Sequence, residues 1–352
     1  MSGKSKPRSK SRRVTPARSL LVALVSGGAV FGLVLFLVIA GALWSYGGPG
    51  PAAKAGEETV VELRQGAGLP EIASTLKRAG VIGSSSVFVT AVQITGAARD
   101  LKAGEYAIRS RASIKDVLSD IRAGKTVRHQ ITVPEGLTSE AVVEKLATEP
   151  LLSGVAPTPA EGSILPETYE FQRGEDRARV LKRMMDAQDR LMVLLWQNRQ
   201  ADLPFQTPNE AITLASIVEK ETGKASERPR VAAVFLNRLR MGMRLQSDPT
   251  VIYGISQGRS LGRGLRVSEL AAPTVYNTYQ INGLPPTPIA NPGREALAAV
   301  LDPPKTDELY FVADGTGGHV FASTLEEHQR NVTKWRQIEK KRAADVKPGG
   351  KP

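Results

Sequence analysis

Two glutamates at the end of one apolar helix are the residues whose type and spacing could do acid–base chemistry. Residues 211–218 are nearly all apolar or small, which predicts a buried helix, and Glu219 and Glu221 follow directly. Burial and the negative end of the helix dipole both disfavour an ionised carboxyl group, so both raise the pKa of a glutamate placed there. A carboxylic acid kept protonated near neutral pH is what general-acid cleavage of a glycosidic bond requires.

The two glutamates cannot share one pocket, because side chains two positions apart lie about 200° apart around a helix. We therefore expect one of them to be catalytic and the other to be solvated or paired with Lys220 or Lys224. Glu219 follows the apolar run directly, so we predict that Glu219 is the catalytic residue. The competing interpretation is that an acid at a helix end is merely solvated, and residue chemistry alone favours that interpretation.

The ends of this helix carry clear signals. Thr207 can cap it, Pro208 suits the first helical position, and Glu210 completes a capping box. Gly223 is a favoured residue just past a helix C-terminus. The sequence therefore predicts a helix that extends through residues 211–222 and holds both glutamates in its last turn.

A second helix is predicted over residues 226–241. Pro229 lies in its first turn, apolar residues follow along one face, and Gly242 ends it. Asn237 and Arg238 lie near its end. They are either structural ties or ligand contacts, and the sequence leaves both interpretations open.

An apolar run near the N-terminus predicts a membrane anchor. Residues 20–43 contain no charged residue and would span about 36 Å as a helix, enough to cross a hydrocarbon core of about 30 Å. Trp44 and Tyr46 follow, where aromatic interface residues belong. A cleaved signal peptide is the alternative, but this run is longer than the apolar region of a signal peptide, and residues 40–42 are a weak cleavage candidate.

The positive charge of the chain lies at its two ends. The net charge is +12, of which residues 1–18 carry +7 and residues 334–352 carry +5, which leaves residues 19–333 neutral. A nucleic-acid-binding fold places its positive charge on the folded surface, so we expect no nucleic-acid partner. The positive residues before the apolar run should stay cytoplasmic, which places the rest of the chain outside the cytoplasm.

The composition of the chain argues against chemistry that depends on a metal or a thiol. The chain has no cysteine, which excludes disulfides and thiol nucleophiles. Its three histidines, His129, His319 and His328, show no spacing typical of metal ligands. We expect neither a metal nor a cofactor.

Three stretches between the apolar run and the glutamates resemble one another. Residues 66–76, 112–121 and 133–146 each place a small-residue turn before a short amphipathic helix, with a strand-like segment in front. Strand–turn–helix units of this kind resemble LysM-type modules, which bind N-acetylglucosamine polymers. The plainer alternative is a small α+β domain that makes no sugar contact.

A proline- and glycine-rich segment, residues 150–166, indicates a domain boundary. Apolar residues then recur at helical spacing through residues 176–199 amid charged ones, which predicts a long amphipathic helix that connects two domains.

Seven phrases in the second half of the chain resemble one protein family, the MltG/YceG-like endolytic murein transglycosylases, and occur in the order typical of that family. They are LASIVEKET (214–222), VFLNRL (234–239), MRLQSDPTVIYG (243–254), YNTY (276–279), GLPPTPIANPG (283–293), LYFVA (309–313) and GGHVF (317–321).

The resemblance implies an enzyme that cleaves the β-1,4 bond between N-acetylmuramic acid and N-acetylglucosamine inside a peptidoglycan strand, without water. Glu219 would protonate the departing oxygen and then, as a carboxylate, accept the proton of the sugar's C6 hydroxyl as that hydroxyl attacks C1. One carboxyl group serves both steps, whereas ordinary glycosidases use a pair. The product is a 1,6-anhydro sugar.

The resemblance also implies residues that line the sugar cleft and partners in the membrane. A packing role is the alternative for each of these residues. The positions that match the family are Gln246, Ser247, Asp248, Tyr276, Asn277 and Tyr279. The expected partners are peptidoglycan strands and, in the inner membrane, peptidoglycan synthases, because the family is tied to the termination of nascent strands.

These observations predict an α+β architecture in seven parts. They are a basic cytoplasmic tail (1–18), a transmembrane anchor (19–46), a linker (47–57), a LysM-like α+β domain (58–150), a connecting segment with an amphipathic helix (151–206), a mainly helical catalytic domain (207–336) and a basic disordered tail (337–352). Two rival functions remain: a membrane-anchored peptidoglycan-binding protein without activity, and a hydrolase that leaves reducing ends.

Overall fold

The computed structural model describes the backbone of residues 16–345 and the side chains of residues 25–342. This part of the chain is α+β, mostly helical, with three two-stranded antiparallel sheets. It divides into two compact units, the first ending at Val127 and the second beginning at Arg128. The predicted α+β class is confirmed.

The first unit holds the N-terminal helix and a small α+β core. Its elements are α1 (Pro16–Gly47), β1 (Glu58–Leu63), α2 (Leu69–Arg78), α3 (Ser85–Ile94), β2 (Gly104–Arg109) and α4 (Ile114–Ala123). β1 pairs with β2 in the register that places Val61 opposite Tyr106, and both side chains are buried in the core beneath the helices. The likeness of this β–α–α–β order to a LysM module stays a prediction.

The apolar part of α1 is long enough to cross a membrane. Residues Val25–Gly47 form 23 helical residues of mean hydropathy 2.3, and their side chains are not buried against the rest of the protein. By length and composition α1 is a candidate single membrane span. The predicted cytoplasmic tail lies outside the residues whose side chains the structure describes.

The segment predicted as a flexible linker, residues 47–57, is bonded to the first unit. The amide of Gly50 donates to the carbonyl of Arg111 at 3.1 Å, and the amide of Arg111 donates to the carbonyl of Pro51 at 3.0 Å. The amide of Ala53 donates to Ser110 Oγ at 3.0 Å. The expectation of a free linker was wrong, because the glycines and prolines that suggested flexibility here let the backbone approach the β2–α4 turn closely.

The second unit begins inside the predicted LysM-like segment. Its elements are β3 (His129–Thr132), α5 (Ser139–Thr148), β4 (Thr168–Phe171), α6 (Arg177–Gln197), α7 (Pro208–Glu221), α8 (Arg228–Arg240), α9 (Asp248–Ser256), α10 (Val267–Ala271), α11 (Arg294–Leu301), β5 (Tyr310–Ala313), β6 (His319–Ala322) and α12 (Leu325–Asp345). β3 pairs with β4, which lies beyond the predicted boundary. The third repeat therefore belongs with the helices that follow it.

Helix α7 is the centre of the second unit. Thr207 Oγ1 accepts from the amide of Glu210 at 3.2 Å, and the Glu210 carboxylate accepts from the amide of Thr207 at 2.9 Å. The predicted capping box is thus present. Seven residues of α7 are buried, and they pack against α8 and α11. This packing fixes where the last turn of α7 carries its glutamates.

The end of α8 carries structural ties. Arg238 is buried and donates to the carbonyls of Leu309 at 2.7 Å and Leu245 at 2.5 Å. Asn237 donates to the carbonyls of Thr306 and Glu308 at 2.8 and 3.0 Å. Of the two interpretations that the sequence left open, structural ties are the one the structure supports.

The C-terminal helix is longer than expected. A disordered tail was predicted from residue 337, whereas α12 continues to Asp345. Arg342 on its last turns donates to the carbonyl of Gly315 in the β5–β6 turn. This tertiary contact favours helix at positions whose composition alone is typical of disorder. Residues 346–352 lie outside the described part.

We expect Phe88→Ala to destabilise the first unit by about 3–5 kcal/mol, because Phe88 is fully buried in its core. Ile94→Ala on the same helix is the matched control, since Ile94 is 81% exposed and should change stability by under about 0.5 kcal/mol. Hydrogen exchange at the β1–β2 amides of the full chain in detergent measures both effects. Equal protection in the two variants would contradict the packing described here.

Candidate active site

The carboxyl group of Glu219 is buried and accepts hydrogen bonds from the protein. Its side chain is 4% exposed, and its Oε1 accepts from Arg228 Nη2 at 2.8 Å. Its Oε2 accepts from the amide of Gly293 at 2.9 Å. The pKa of Glu219 is raised, because burial and the charge of Glu135 outweigh the Gly293 amide and the Arg228 guanidinium, which act in the opposite direction. Both carboxylate oxygens are therefore occupied by donors from the protein.

Arg228 is shared by three carboxylates. Its side chain is 9% exposed, and besides Glu219 it bonds Glu135 at 2.6 Å and Glu295 at 2.8 Å. Burial opposes its charge, but the three carboxylates raise its pKa. Arg228 and Glu295 also line a surface depression of about 400 Å³. We call Arg228, Glu135, Glu219 and Glu295 the Arg228 network.

Glu221 lies in a different environment from Glu219. Its carboxylate accepts from Ser247 Oγ, and burial raises its pKa to about 7. The Ser247 hydrogen bond and the charge of Arg238 oppose this rise, while the charge of Asp248 adds to it. A pKa near 7 suits a group that exchanges a proton at neutral pH, and the raised pKa that the sequence predicted for Glu219 is found for both glutamates.

The expectation that Glu221 is solvated or paired with a lysine was wrong. Glu221 bonds a serine on another element, and Lys220 donates instead to the carbonyl of Gly136 at 3.2 Å. The angular argument was sound, since Glu219 and Glu221 face different surroundings. Protein groups surround both side chains, however, because loops that are distant in sequence cover the last turn of α7.

Ser247 is held in place by the segment that precedes Tyr279. Its amide donates to Thr278 Oγ1 at 2.9 Å, and its side chain is buried. The amide of Gln246 donates to the carbonyl of Thr278 at 3.1 Å. Gln246 is exposed and has a left-handed backbone, with a φ of 53°, which is uncommon for a residue other than glycine. Two phrases of the chain thus meet beside Glu221.

Asp248 and Tyr279 form a polar pair next to Ser247. Tyr279 Oη donates to Asp248 Oδ1 at 2.7 Å. Asp248 is exposed, Tyr279 is partly buried, and burial together with the Asp248 carboxylate raises the pKa of Tyr279. We call Glu221, Ser247, Asp248 and Tyr279 the Glu221 cluster. Three of its members are residues that the sequence analysis named as substrate contacts.

Asn277 and Tyr276 were also named as substrate contacts; both have contacts within the fold, and for the half-buried Tyr276 the substrate contact stays a prediction. Asn277 is fully buried, and its amide group donates to the carbonyls of Glu269, Leu270 and Ala272 at 2.7–3.2 Å. Tyr276 packs edge-on against Tyr253 at 5.1 Å between ring centroids. A substrate contact by Asn277 is inconsistent with its burial, so we assign it to the support of this loop.

A histidine–glutamate pair lies near the Glu221 cluster. His319 Nδ1 and Glu227 Oε2 are 2.7 Å apart, and Thr222 Oγ1 donates to the same oxygen of Glu227 at 3.3 Å. Burial works against the ionised Glu227, but its hydrogen bonds to His319 lower its pKa overall. The charge of His319 in turn lowers the pKa of Glu221.

Sequence reasoning missed Arg228, Glu135, Glu295 and the His319–Glu227 pair as members of the site. Glu135 and Arg228 are 93 positions apart, and His319 and Glu227 are 92 positions apart. No periodicity of a single helix or strand connects such positions. The one available signal was that His319 lies within a phrase shared with the family.

Comparison with known proteins adds independent information. The sequence model of the YceG-like family matches residues 61–334 of this chain. The endolytic murein transglycosylase of Bacillus subtilis (strain 168) is 31% identical over 318 positions, which cover 81% of this chain and 87% of that protein. That of Streptococcus pneumoniae (strain ATCC BAA-255 / R6) is 31% identical over 321 positions, covering 77% of this chain and 57% of that protein. The chain thus spans just over half the length of the Streptococcus relative.

A solved structure is also similar. The crystal structure of a yceG-like protein from Listeria monocytogenes shares 30% identity, with a TM-score of 0.47, and the match covers 78% of this chain and 99% of that one.

We expect Arg228→Met to destabilise the second unit by about 3–5 kcal/mol at neutral pH, since it leaves Glu219 buried without its cation. The pKa of Glu219 then rises further above its unfolded value of about 4.3, so the folded form binds the proton more tightly. The loss should therefore be small near pH 4 and should grow as the pH rises. Urea denaturation at several pH values measures it.

The matched control is Arg230→Met on the same helix. Arg230 is 49% exposed and pairs with Glu308, so its loss should cost under about 1 kcal/mol, with little dependence on pH. A flat pH dependence for Arg228→Met would show that Glu219 does not depend on this cation.

Proposed function

The chain belongs to the YceG-like family, and from that premise we propose that it is an endolytic murein transglycosylase. The relatives from Bacillus subtilis and Streptococcus pneumoniae that carry this name are 31% identical to it. The observation that carries the proposal is the Glu221 cluster, in which a buried carboxyl group with a pKa of about 7 lies beside two polar family phrases.

The proposed substrate is the glycan strand of peptidoglycan, and the proposed reaction cleaves the β-1,4 bond between N-acetylmuramic acid and N-acetylglucosamine. The enzyme's carboxylic acid gives its proton to the glycosidic oxygen as the bond to C1 breaks. The carboxylate then accepts the proton of the C6 hydroxyl of the same muramic acid as that oxygen bonds to C1. The enzyme regains its starting state, and the strand ends in a 1,6-anhydro sugar.

We assign the proton transfers to Glu221 in place of Glu219. A general acid–base must change its protonation state near the working pH, and the pKa of Glu221, about 7, meets that condition. Glu219 has both oxygens occupied, by Arg228 and by the amide of Gly293. Each oxygen of Glu219 thus already accepts one hydrogen bond from the protein, although burial still raises its pKa.

Glu219 then acts as a positioning residue. It connects α7 to the loop of Gly293 and, through Arg228, to Glu135. These contacts hold the last turn of α7, and Glu221 lies two positions further along that turn. In this proposal Glu219 has a structural part in the site, and the catalytic role predicted for it from the sequence stays a prediction that the variants below test.

Asp248, Tyr279 and Gln246 are the proposed substrate contacts. Gln246 and Asp248 are exposed, and Asp248 bonds Tyr279 beside Ser247. An amide, a carboxylate and a phenol suit the hydroxyl and acetamido groups of these sugars. Ser247 is buried and bonds Glu221, so we propose that it tunes Glu221 and does not bind sugar.

We further propose that α1 anchors the chain in the inner membrane, with its N-terminus in the cytoplasm and the catalytic part in the periplasm. The apolar length of α1 and the seven positive charges in residues 1–18 support this orientation. An enzyme held at the membrane would meet strands as synthases produce them. We therefore propose that it ends nascent strands and works beside peptidoglycan synthases.

We expect Glu221→Gln to lower the rate of strand cleavage by about 10³-fold or more, because the amide can neither give nor accept the proton. Glu219→Gln is the matched variant, two positions away and equally isosteric, and should lower the rate much less than Glu221→Gln, because it disturbs the position of Glu221 but leaves its carboxyl group in place. The measurement is mass spectrometry of purified glycan strands, where anhydro ends are lighter than reducing ends by one water, about 18 mass units, as the reaction chemistry requires.

Four outcomes would contradict parts of this proposal. Full activity in Glu221→Gln would remove Glu221 from the chemistry. Loss of activity in Glu219→Gln alone, with a folded protein, would return the catalytic role to Glu219. Reducing ends only would indicate a hydrolase, and binding without any cleavage would indicate a peptidoglycan-binding protein.

The pH dependence of cleavage provides a second test. Activity that needs protonated Glu221 should fall as the pH rises through about 7. The Ser247 hydroxyl stabilises the ionised form, so Ser247→Ala should raise the pKa of Glu221 and move this decline to higher pH. Ser256→Ala at the end of α9 is the control, because its hydroxyl bonds the carbonyls of Ile252 and Arg259 and not Glu221. Identical profiles for the two variants would contradict the assigned role of Ser247.

A further inference from the structure

A cationic pocket lies in the first unit where the apolar helix α1 ends. Its volume is about 720 Å³, within the range typical of small-ligand sites. The residues that line it come from the end of α1, the loop after α3, and α4. They are Tyr46, Thr95, Arg99, Asp100, Lys102, Lys115, Leu118, Ser119, Arg122 and Ala123.

The charge of the pocket is strongly positive. Four cationic side chains line it and one carboxylate does, that of Asp100, which bonds Arg122 at 3.0 Å. Lys115, Ser119 and Arg122 lie at positions i, i+4 and i+7 of α4, so they share one face of that helix. Such a combination of guanidinium, ammonium and hydroxyl donors suits a phosphate group.

The nearby acids of α4 are bonded elsewhere. Asp116 accepts from Ser113 in the helix cap, and Asp120 pairs with Lys125 at 2.7 Å. Neither lines the pocket. The charge of Asp116 acts on Lys115, but the four cations that line the pocket still outnumber the carboxylates beside them.

The position of the pocket relative to α1 is fixed by backbone contacts. The amide of Gly48 donates to the carbonyl of Trp44 at 2.7 Å, and Gly50 bonds Arg111 at 3.1 Å. Tyr46 lines the pocket and packs against the core of the first unit. The pocket thus lies at the end of the candidate membrane span, at the depth where lipid headgroups begin.

Apolar side chains near the pocket are exposed to the same surroundings. Trp44 is 73% exposed, and Ile94, adjacent in sequence to the pocket residue Thr95, is 81% exposed. An exposed Trp at the end of an apolar helix is typical of a membrane interface.

We propose that this pocket binds the phosphate-bearing headgroup of an anionic membrane lipid. The phosphate lies among Arg99, Lys102, Lys115 and Arg122, while the acyl chains run along α1. The bound lipid holds the first unit against the bilayer surface. The inference rests on α1 spanning a membrane and is independent of the cleavage reaction and of Glu221.

In the test, the full chain is purified in mild detergent, and its binding of lipids is measured by native mass spectrometry. Phosphatidylglycerol and phosphatidylcholine with the same acyl chains are titrated separately, so that only the headgroup differs. We expect phosphatidylglycerol to bind more tightly. The variant Lys115→Gln/Arg122→Gln should weaken its binding by about tenfold or more, since each cation near a membrane surface contributes appreciably to the attraction.

The matched control is Lys77→Gln/Arg78→Gln, which removes the same two charges from exposed positions at the end of α2, outside the pocket. It should bind phosphatidylglycerol like the unmodified chain. Equal weakening in the two double variants, or equal binding of the two lipids, would overturn the proposal.

Two further experiments distinguish a lipid site from a site for a free anion and test the membrane anchor. Displacement of phosphatidylglycerol by millimolar inorganic phosphate would show a site for a free anion and would reject a lipid site. Release of the unmodified full chain from vesicles by alkaline carbonate would reject the anchor and this inference with it. Neither result bears on strand cleavage, which the Glu221 and Glu219 variants test separately.

Discussion

The burial of one guanidinium group constrains the whole site. Arg228 is 9% exposed, and a charge so enclosed is tolerated only while opposite charges surround it. Glu135, Glu219 and Glu295 supply them from three separate parts of the chain. The Arg228 side chain therefore connects the loop before α5, the end of α7 and the start of α11, which backbone hydrogen bonds of Gly136 and Gly293 also join.

This constraint explains how two glutamates in one helical turn come to differ. Glu219 faces Arg228 and the amide of Gly293, so its charge is compensated where it is buried. Glu221 faces a serine hydroxyl and lies near the carboxylate of Asp248, so burial dominates and its pKa rises to about 7. Burial raises the pKa of both carboxyl groups, and their neighbouring charges differ, since Arg228 lies beside Glu219 and Asp248 acts on Glu221.

Local signals predicted local structure well. The capping box of Thr207 and Glu210 and the buried face of α7 are present as expected, because they depend on residues within one or two turns. Expectations about linkers and tails were less successful. Residues 47–57 bond the β2–α4 turn, and α12 continues past residue 337, because contacts with distant residues outweigh composition.

The sequence by itself determined the class of the chain, its apolar N-terminal helix, its family phrases and the presence of two acids at the end of a buried helix. Only the tertiary structure decided which acid has which surroundings. Arg228, Gly293 and Ser247 reach the last turn of α7 from elements 9 to 74 positions away. Charge and burial at a carboxyl group act through space, so no spacing along the chain could reveal them.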